Sequence, residues 1–103
     1  MRILFDQGCP APLRKHNSKH SVVLSKELGW ERLKNGELLD RAEQAGFDML
    51  LTTDKSIRYQ QNLSGRQIAV FVLDNPDWNV LKLDPRSVVD ALDGAVAGDY
   101  KVI

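Results

Sequence analysis

The chain has 103 residues, 43% hydrophobic and 27% charged, with a formal net charge of zero and one cysteine. That length holds one hydrophobic core, hence a single domain over 1–103, and one cysteine excludes an internal disulfide, which suits a reduced, cytoplasmic setting. No apolar run approaches the roughly 20 residues that cross a bilayer, and Ile3-Leu4-Phe5 is too short and too poorly flanked for a secretory signal, so no membrane partner is expected.

The predicted elements alternate between short apolar runs and helix-like stretches. Residues 2–5 read as a first strand, ending at Asp6. Pro10 and Pro12 then punctuate a short helix at about 11–17, since proline is tolerated in a first turn. Residues 20–24 are rich in valine and read as a second strand. After a loop holding Gly29 and Trp30, Asn35-Gly36 opens the clearest helix, at about 36–45. There Leu38, Leu39, Ala42 and Ala45 share one face, and Gly46 ends it. Residues 47–52 make a third strand, Thr53-Asp54 leads into a helix near 55–62, and Gly65 closes that segment. Residues 67–73 form the most apolar strand. Asn75-Pro76 breaks the chain, a helix near 85–96 turns Val88, Val89, Leu92 and Ala95 inward, and the tail 100–103 offers a short edge strand. Strands separated by helices predict crossovers and a mostly parallel sheet of four to five strands with helices on both faces, a three-layer α/β fold.

The zero net charge hides an uneven spread. Residues 74–103 carry six aspartates (Asp74, Asp77, Asp84, Asp90, Asp93 and Asp99) against Lys82, Arg86 and Lys101, a balance of −3, and residues 1–73 therefore carry +3. Within 14–34, six basic residues stand against only Glu27 and Glu31. Such a surface either meets phosphates or is a solvated helix face.

Ligands of an open parallel sheet sit beyond the carboxyl ends of its strands, where the strand order reverses. Asp6 and Asp54 both stand at such ends. Two neighbouring carboxylates repel unless a proton or cation lies between them, and Mg²⁺ or Mn²⁺ suits that place because hard cations take oxygen ligands and keep several waters. An aspartate just before a helix is also a favourable N-cap, a description that Asp54 before Lys55-Ser56-Ile57 meets as well.

Three segments together resemble the short PIN-like proteins grouped as DUF5615. They are the opening Met1-Arg2-Ile3-Leu4-Phe5-Asp6-Gln7-Gly8-Cys9-Pro10, the helical Asn35-Gly36-Glu37-Leu38-Leu39-Asp40-Arg41-Ala42, and Leu51-Thr52-Thr53-Asp54-Lys55. The resemblance spans residues 1 to about 73 in motif order and spacing. It implies a PIN-like fold and a divalent-metal-dependent ribonuclease acting on single-stranded RNA, of a kind found as the toxin of toxin–antitoxin pairs. The implied partner is a small antitoxin; a second copy of the chain is a further candidate partner, independent of the resemblance. Asp6 and Asp54 match the family's acidic positions. Gln7-Gly8 stands where the family usually has Glu-Asn, and Asn35 where it usually has aspartate. Asn35 keeps a carbonyl oxygen for a metal, and Glu37 is the residue left to supply a third catalytic carboxylate. Glu37 also sits four residues before Arg41, the spacing of a surface ion pair.

Lys55, Arg58, Tyr59 and Arg66 lie in a segment free of acidic residues from 55 to 66. They are candidates to steer RNA, with Tyr59 stacking a base; otherwise they are a solubilising helix face. His16 and His20 are four apart but have no evident third metal ligand. Cys9 reads as a small buried thiol, and Trp30 and Trp78 as packing residues. A haloacid-dehalogenase-type phosphatase would need a second aspartate where Gly8 stands, and the ordered acidic cluster and late-strand lysine of a receiver domain are absent. The remaining rival is a PIN-like scaffold that binds protein or RNA without cleaving it, distinguished by how many carboxylates share one cleft.

Overall fold

The apolar runs become five strands because each alternates its side chains between two covered faces. The computed structural model describes residues 1–60, 62–63 and 65–103. The strands are β1 (Arg2–Phe5), β2 (Ser21–Leu24), β3 (Met49–Thr52), β4 (Ala69–Val72) and β5 (Tyr100–Val102). They form one sheet in the order β2-β1-β3-β4-β5, and every neighbouring pair is parallel. Each position of β3 and β4 is buried, as central strands of a parallel sheet must be.

On one face Ile3, Phe5, Met49, Leu51 and Phe71 pack with Leu13, Val88 and Leu92; on the other, Leu4, Leu50, Val70 and Val72 pack with Leu38, Leu39, Ala42 and Ile57. The first face is covered by a 3-10 segment (Ala11–Asn17) and the later helices, and the second by α1 (Asn35–Gln44) and α2 (Ile57–Gln60). The result is a three-layer α/β fold. Each fully buried leucine or phenylalanine contributes about 1.5–3 kcal/mol, so the two layers, rather than the short helices themselves, hold the architecture.

Helix α1 ends as its sequence predicts. Gly46 adopts φ 80°, its N–H reaches Glu43 O at 3.1 Å and the next N–H, of Phe47, reaches Ala42 O at 3.0 Å. This closing motif satisfies the last carbonyls and turns Phe47 back onto the core, which aims the chain into β3.

Several boundaries are narrower than the sequence suggested. The helix expected near 55–62 is Ile57–Gln60, and position 61 of that expectation lies outside the described residues; the helix expected near 85–96 is α4 (Arg86–Asp93). Two short elements carry too little periodicity to be read in advance: a 3-10 turn at Ser25–Leu28 and α3 (Trp78–Leu81). The latter starts where Asp77 Oδ1 accepts from Asn79 N–H at 2.9 Å. No helix among the described residues is long and apolar enough to cross a membrane.

The topology fixes where a site can form. From β1 the chain moves outward to β2, then crosses to the other side of β1 to enter β3. The reversal falls between β1 and β3, and a crevice opens at their carboxyl ends.

Candidate functional site

Asp6 follows β1 directly, and its N–H donates to Leu51 O at 2.8 Å, extending the β1–β3 pairing one residue past the strand. This places Asp6 beside Thr52, whose Oγ1 donates to Asp6 Oδ2 at 2.8 Å, while Asp6 Oδ1 accepts from Gln7 N–H at 2.7 Å. Thr52 is fully buried, and the same hydroxyl oxygen accepts from the Asp54 N–H at 3.2 Å. One threonine therefore spaces both acidic residues.

The carboxylate of Asp54 is held on both oxygens. Oδ1 accepts from Ser56 N–H at 2.9 Å and Ser56 Oγ at 2.7 Å, and Oδ2 accepts from Asn35 Nδ2 at 2.6 Å. The Ser56 hydroxyl first, then the Asn35 amide, hold the Asp54 carboxyl below the usual carboxylate range, against the opposing effect of burial. Its bond to Ser56 N–H, two residues on, is also the capping contact that the sequence suggested, so one side chain starts the following turn and faces the crevice.

An open cleft of about 440 Å³ lies over this edge, with Asp6, Asp54 and Asn35 in its wall beside Glu31, Lys34 and Gly36. Gly8 also lines it. A Cβ on Gly8 would lie 2.2 Å from Thr53 Oγ1 and 3.2 Å from Thr53 Cβ, so glycine is what lets the chain after Asp6 lie against the end of β3.

The sequence-derived candidates separate here. Asp6, Asp54 and Asn35 share the cleft, but Asn35 turns its amide nitrogen, not its carbonyl oxygen, toward Asp54. Glu37 is exposed on the first turn of α1 and is not in the cleft wall; it makes no ion pair with Arg41. Glu31 and Lys34 stand in the wall instead. By sequence, Lys34 counts among the basic residues of 14–34 that could meet phosphates, and Glu31 among the acids beside them. The sequence places neither at the strand ends, because they precede α1 in a loop and only the docking of α1 brings that loop over the strand ends.

The proposed RNA-contacting residues lie elsewhere. Lys55 Nζ pairs with Asp74 at 3.1 Å, both exposed. The Arg58 guanidinium lies 4.9 Å from the Tyr59 ring and 5.7 Å from the Tyr100 ring, and Tyr59 is 78% exposed. Arg66 binds Asp40 at 3.1 Å and also Glu43, so it clamps α1 to the segment before β4. None of the four lines the cleft.

The remaining candidates have structural employment. His16 packs on Trp78 with ring centroids 5.8 Å apart, whereas His20 bonds Asp93 at 2.7 Å, so the two histidines serve different contacts. Cys9 Sγ donates to Leu51 O at 3.2 Å; burial, and after it the charge of Asp6, push its thiol up, away from the reactive thiolate. Trp30 meets Phe47 edge-on inside the α1 layer.

Among the described residues no three His, Cys, Asp or Glu side chains gather as a group that could hold a metal ion. The two carboxylates of the cleft still accept only two hydrogen bonds (Asp6) and three (Asp54) from described partners, short of the roughly four sites a carboxylate offers. Mg²⁺ is ordinarily held by one or two carboxylates with waters and substrate phosphate completing its shell. The donor set fits a hydrated ion of that kind. No protein-family model, curated protein or solved structure matches the chain.

Proposed function

We propose that the chain is a divalent-metal-dependent endoribonuclease of PIN-like type, acting on single-stranded RNA at the cleft over β1 and β3. The observation that carries this reading is the pairing of Asp6 and Asp54 in one cleft, spaced by the Thr52 hydroxyl. The resemblance of the three sequence motifs to DUF5615 proteins supports it, and extends it to the toxin of a toxin–antitoxin pair with a small antitoxin as partner.

Phosphodiester hydrolysis joins a water oxygen to phosphorus and breaks the bond to one ribose oxygen, which leaves carrying a proton. Asp6 and Asp54 are the residues that would hold Mg²⁺ or Mn²⁺; when bound, the ion supplies positive charge against the phosphoryl oxygens. Asp54, kept ionised by Ser56 and Asn35, acts as a fixed charge. Asp6, steadied by Thr52 and Gln7, is the carboxylate assigned to take the proton of the attacking water.

With Mn²⁺, purified protein should cleave single-stranded RNA, and Asp6→Asn or Asp54→Asn should lower the rate by about 10²-fold or more. Cleavage that survives both substitutions would place the chemistry elsewhere or in a contaminant. One observation favours a second reading. Asn35 brings an amide donor, not a further carboxylate, to Asp54, and Glu37 stands outside the cleft wall, which suits a scaffold that binds RNA or a protein partner without cutting. RNA binding without Mn²⁺-dependent cleavage would select that reading.

A further inference from the structure

Every residue in the cleft wall able to bear charge is acidic except one. Asp6, Asp54 and Glu31 line it, and Lys34 is the sole cation beside them among the described residues. A phosphate approaching three carboxylates meets repulsion of about 1 kcal/mol per charge at 4 Å even at the dielectric of water, and more where water is excluded. A cation held by Asp6 and Asp54 would offset part of that repulsion, and Lys34 is the one positive charge that the described residues themselves put in the wall.

The Lys34 backbone is extended (φ −98°, ψ 167°) at the start of α1, and its carbonyl accepts from Leu38 N–H at 2.8 Å, so its base is anchored by the helix. The next residue, Asn35, is bonded to Asp54, which locks the register of the helix start against the acidic pair. Lys34 is exposed and makes no ion pair among the described residues, although three carboxylates share its cleft. Lys15, Lys26, Arg32, Arg41 and Lys82 likewise make no ion pair among the described residues, but none of them lines the cleft.

We propose that Lys34 is the phosphate-binding residue of the cleft, holding a non-bridging oxygen of an RNA phosphodiester against the Asp6–Asp54 pair. A lysine ammonium suits this work as a compact charge on a flexible stem that follows the phosphate. The binding role rests on the reading of this cleft as an RNA site, with Lys34 as the one basic residue of its described wall. Its catalytic consequence rests on the nuclease reading above.

The test compares wild type, Lys34→Gln, Lys34→Arg and, as a charge-matched control outside the cleft wall, Lys82→Gln. Binding of a short fluorescent single-stranded oligoribonucleotide is measured with Ca²⁺ across a salt series, and cleavage of the same RNA with Mn²⁺. Lys34→Gln should weaken binding about tenfold and lower the salt slope by about 0.7, the value of one phosphate contact on a single strand. Lys34→Arg should restore most of the affinity, and Lys82→Gln should change little. If wild type cleaves and Lys34→Gln binds and cleaves equally well, the Lys34 role is overturned while the nuclease reading stands. If wild type binds without cleaving and Lys34→Gln loses affinity, the nuclease reading falls and the phosphate site stands. No binding by wild type overturns both, and equal losses in Lys34→Gln and Lys82→Gln reduce the effect to net charge, which also overturns the assignment.

Discussion

Asn35 Nδ2 lies 2.6 Å from Asp54 Oδ2, so the residue that opens α1 is bonded to the carboxylate that follows β3. An aspartate at 35 would face Asp54 as a like charge. Asn35→Asp should therefore destabilise the metal-free protein by about 1–3 kcal/mol, through the lost donor and the new repulsion. Millimolar Mn²⁺ should recover most of that loss. Urea melts in EDTA and in Mn²⁺ measure both effects, and a variant indifferent to Mn²⁺ would show that the cleft does not take a cation.

Thr52 is the second point of control. Its buried hydroxyl donates to Asp6 and accepts from the Asp54 N–H. Thr52→Val keeps the shape and removes both bonds, which should cost about 1–3 kcal/mol because a part-buried donor and acceptor lose a partner. Thr52→Ser should retain most of the stability. Denaturant titration of the pair separates the hydroxyl from the methyl group.

The Asp54 carboxyl is held below its usual value by Ser56 and Asn35. Its folded-state pKa is thus depressed, and the resulting stability is present in full above the unfolded value near 3.8. As pH falls below that value the unfolded chain takes up the proton first, and the contribution is lost as pH passes through the folded pKa. Wild type should lose stability on acidification below about pH 4, and Asp54→Asn should give a flatter profile. The profile should not become level, because the hydrogen bond from His20 also lowers Asp93. Thermal melts between pH 2.5 and about 6 report the difference.

Arg66 was a candidate RNA contact by sequence, yet it joins Asp40 and Glu43 across α1. Arg66→Met should lower stability by about 1 kcal/mol, a modest figure because Asp40 is largely exposed and water screens it. Single-stranded RNA affinity should be unchanged. A large loss of RNA binding with no change in melting temperature would instead support the RNA-contacting role that the sequence suggested.

Much of this architecture is legible in the residues themselves. Alternating runs such as Ile3-Leu4-Phe5 and Met49-Leu50-Leu51 specify strands because each side chain must find a covered face, and Leu38, Leu39 and Ala42 specify a helix by the same logic at a different period. Asp6 and Asp54 stand out because an ionisable group that ends an apolar run must sit at the rim. Burial, local periodicity and turn chemistry act over a few residues, so the chain's order reveals them.

The contents of the cleft were decided elsewhere. Glu31 and Lys34 belong to it, and Glu37 stands outside its wall, because α1 docks its start against the β3 end through Asn35 and Asp54. Arg66 pairs with two carboxylates 26 and 23 residues earlier in the chain. Charge–charge and hydrogen-bond partners separated by such distances are chosen by the packing of whole elements, and no local spacing encodes them. The strand order β2-β1-β3-β4-β5, which opens the crevice between β1 and β3, is likewise a property of the assembled sheet.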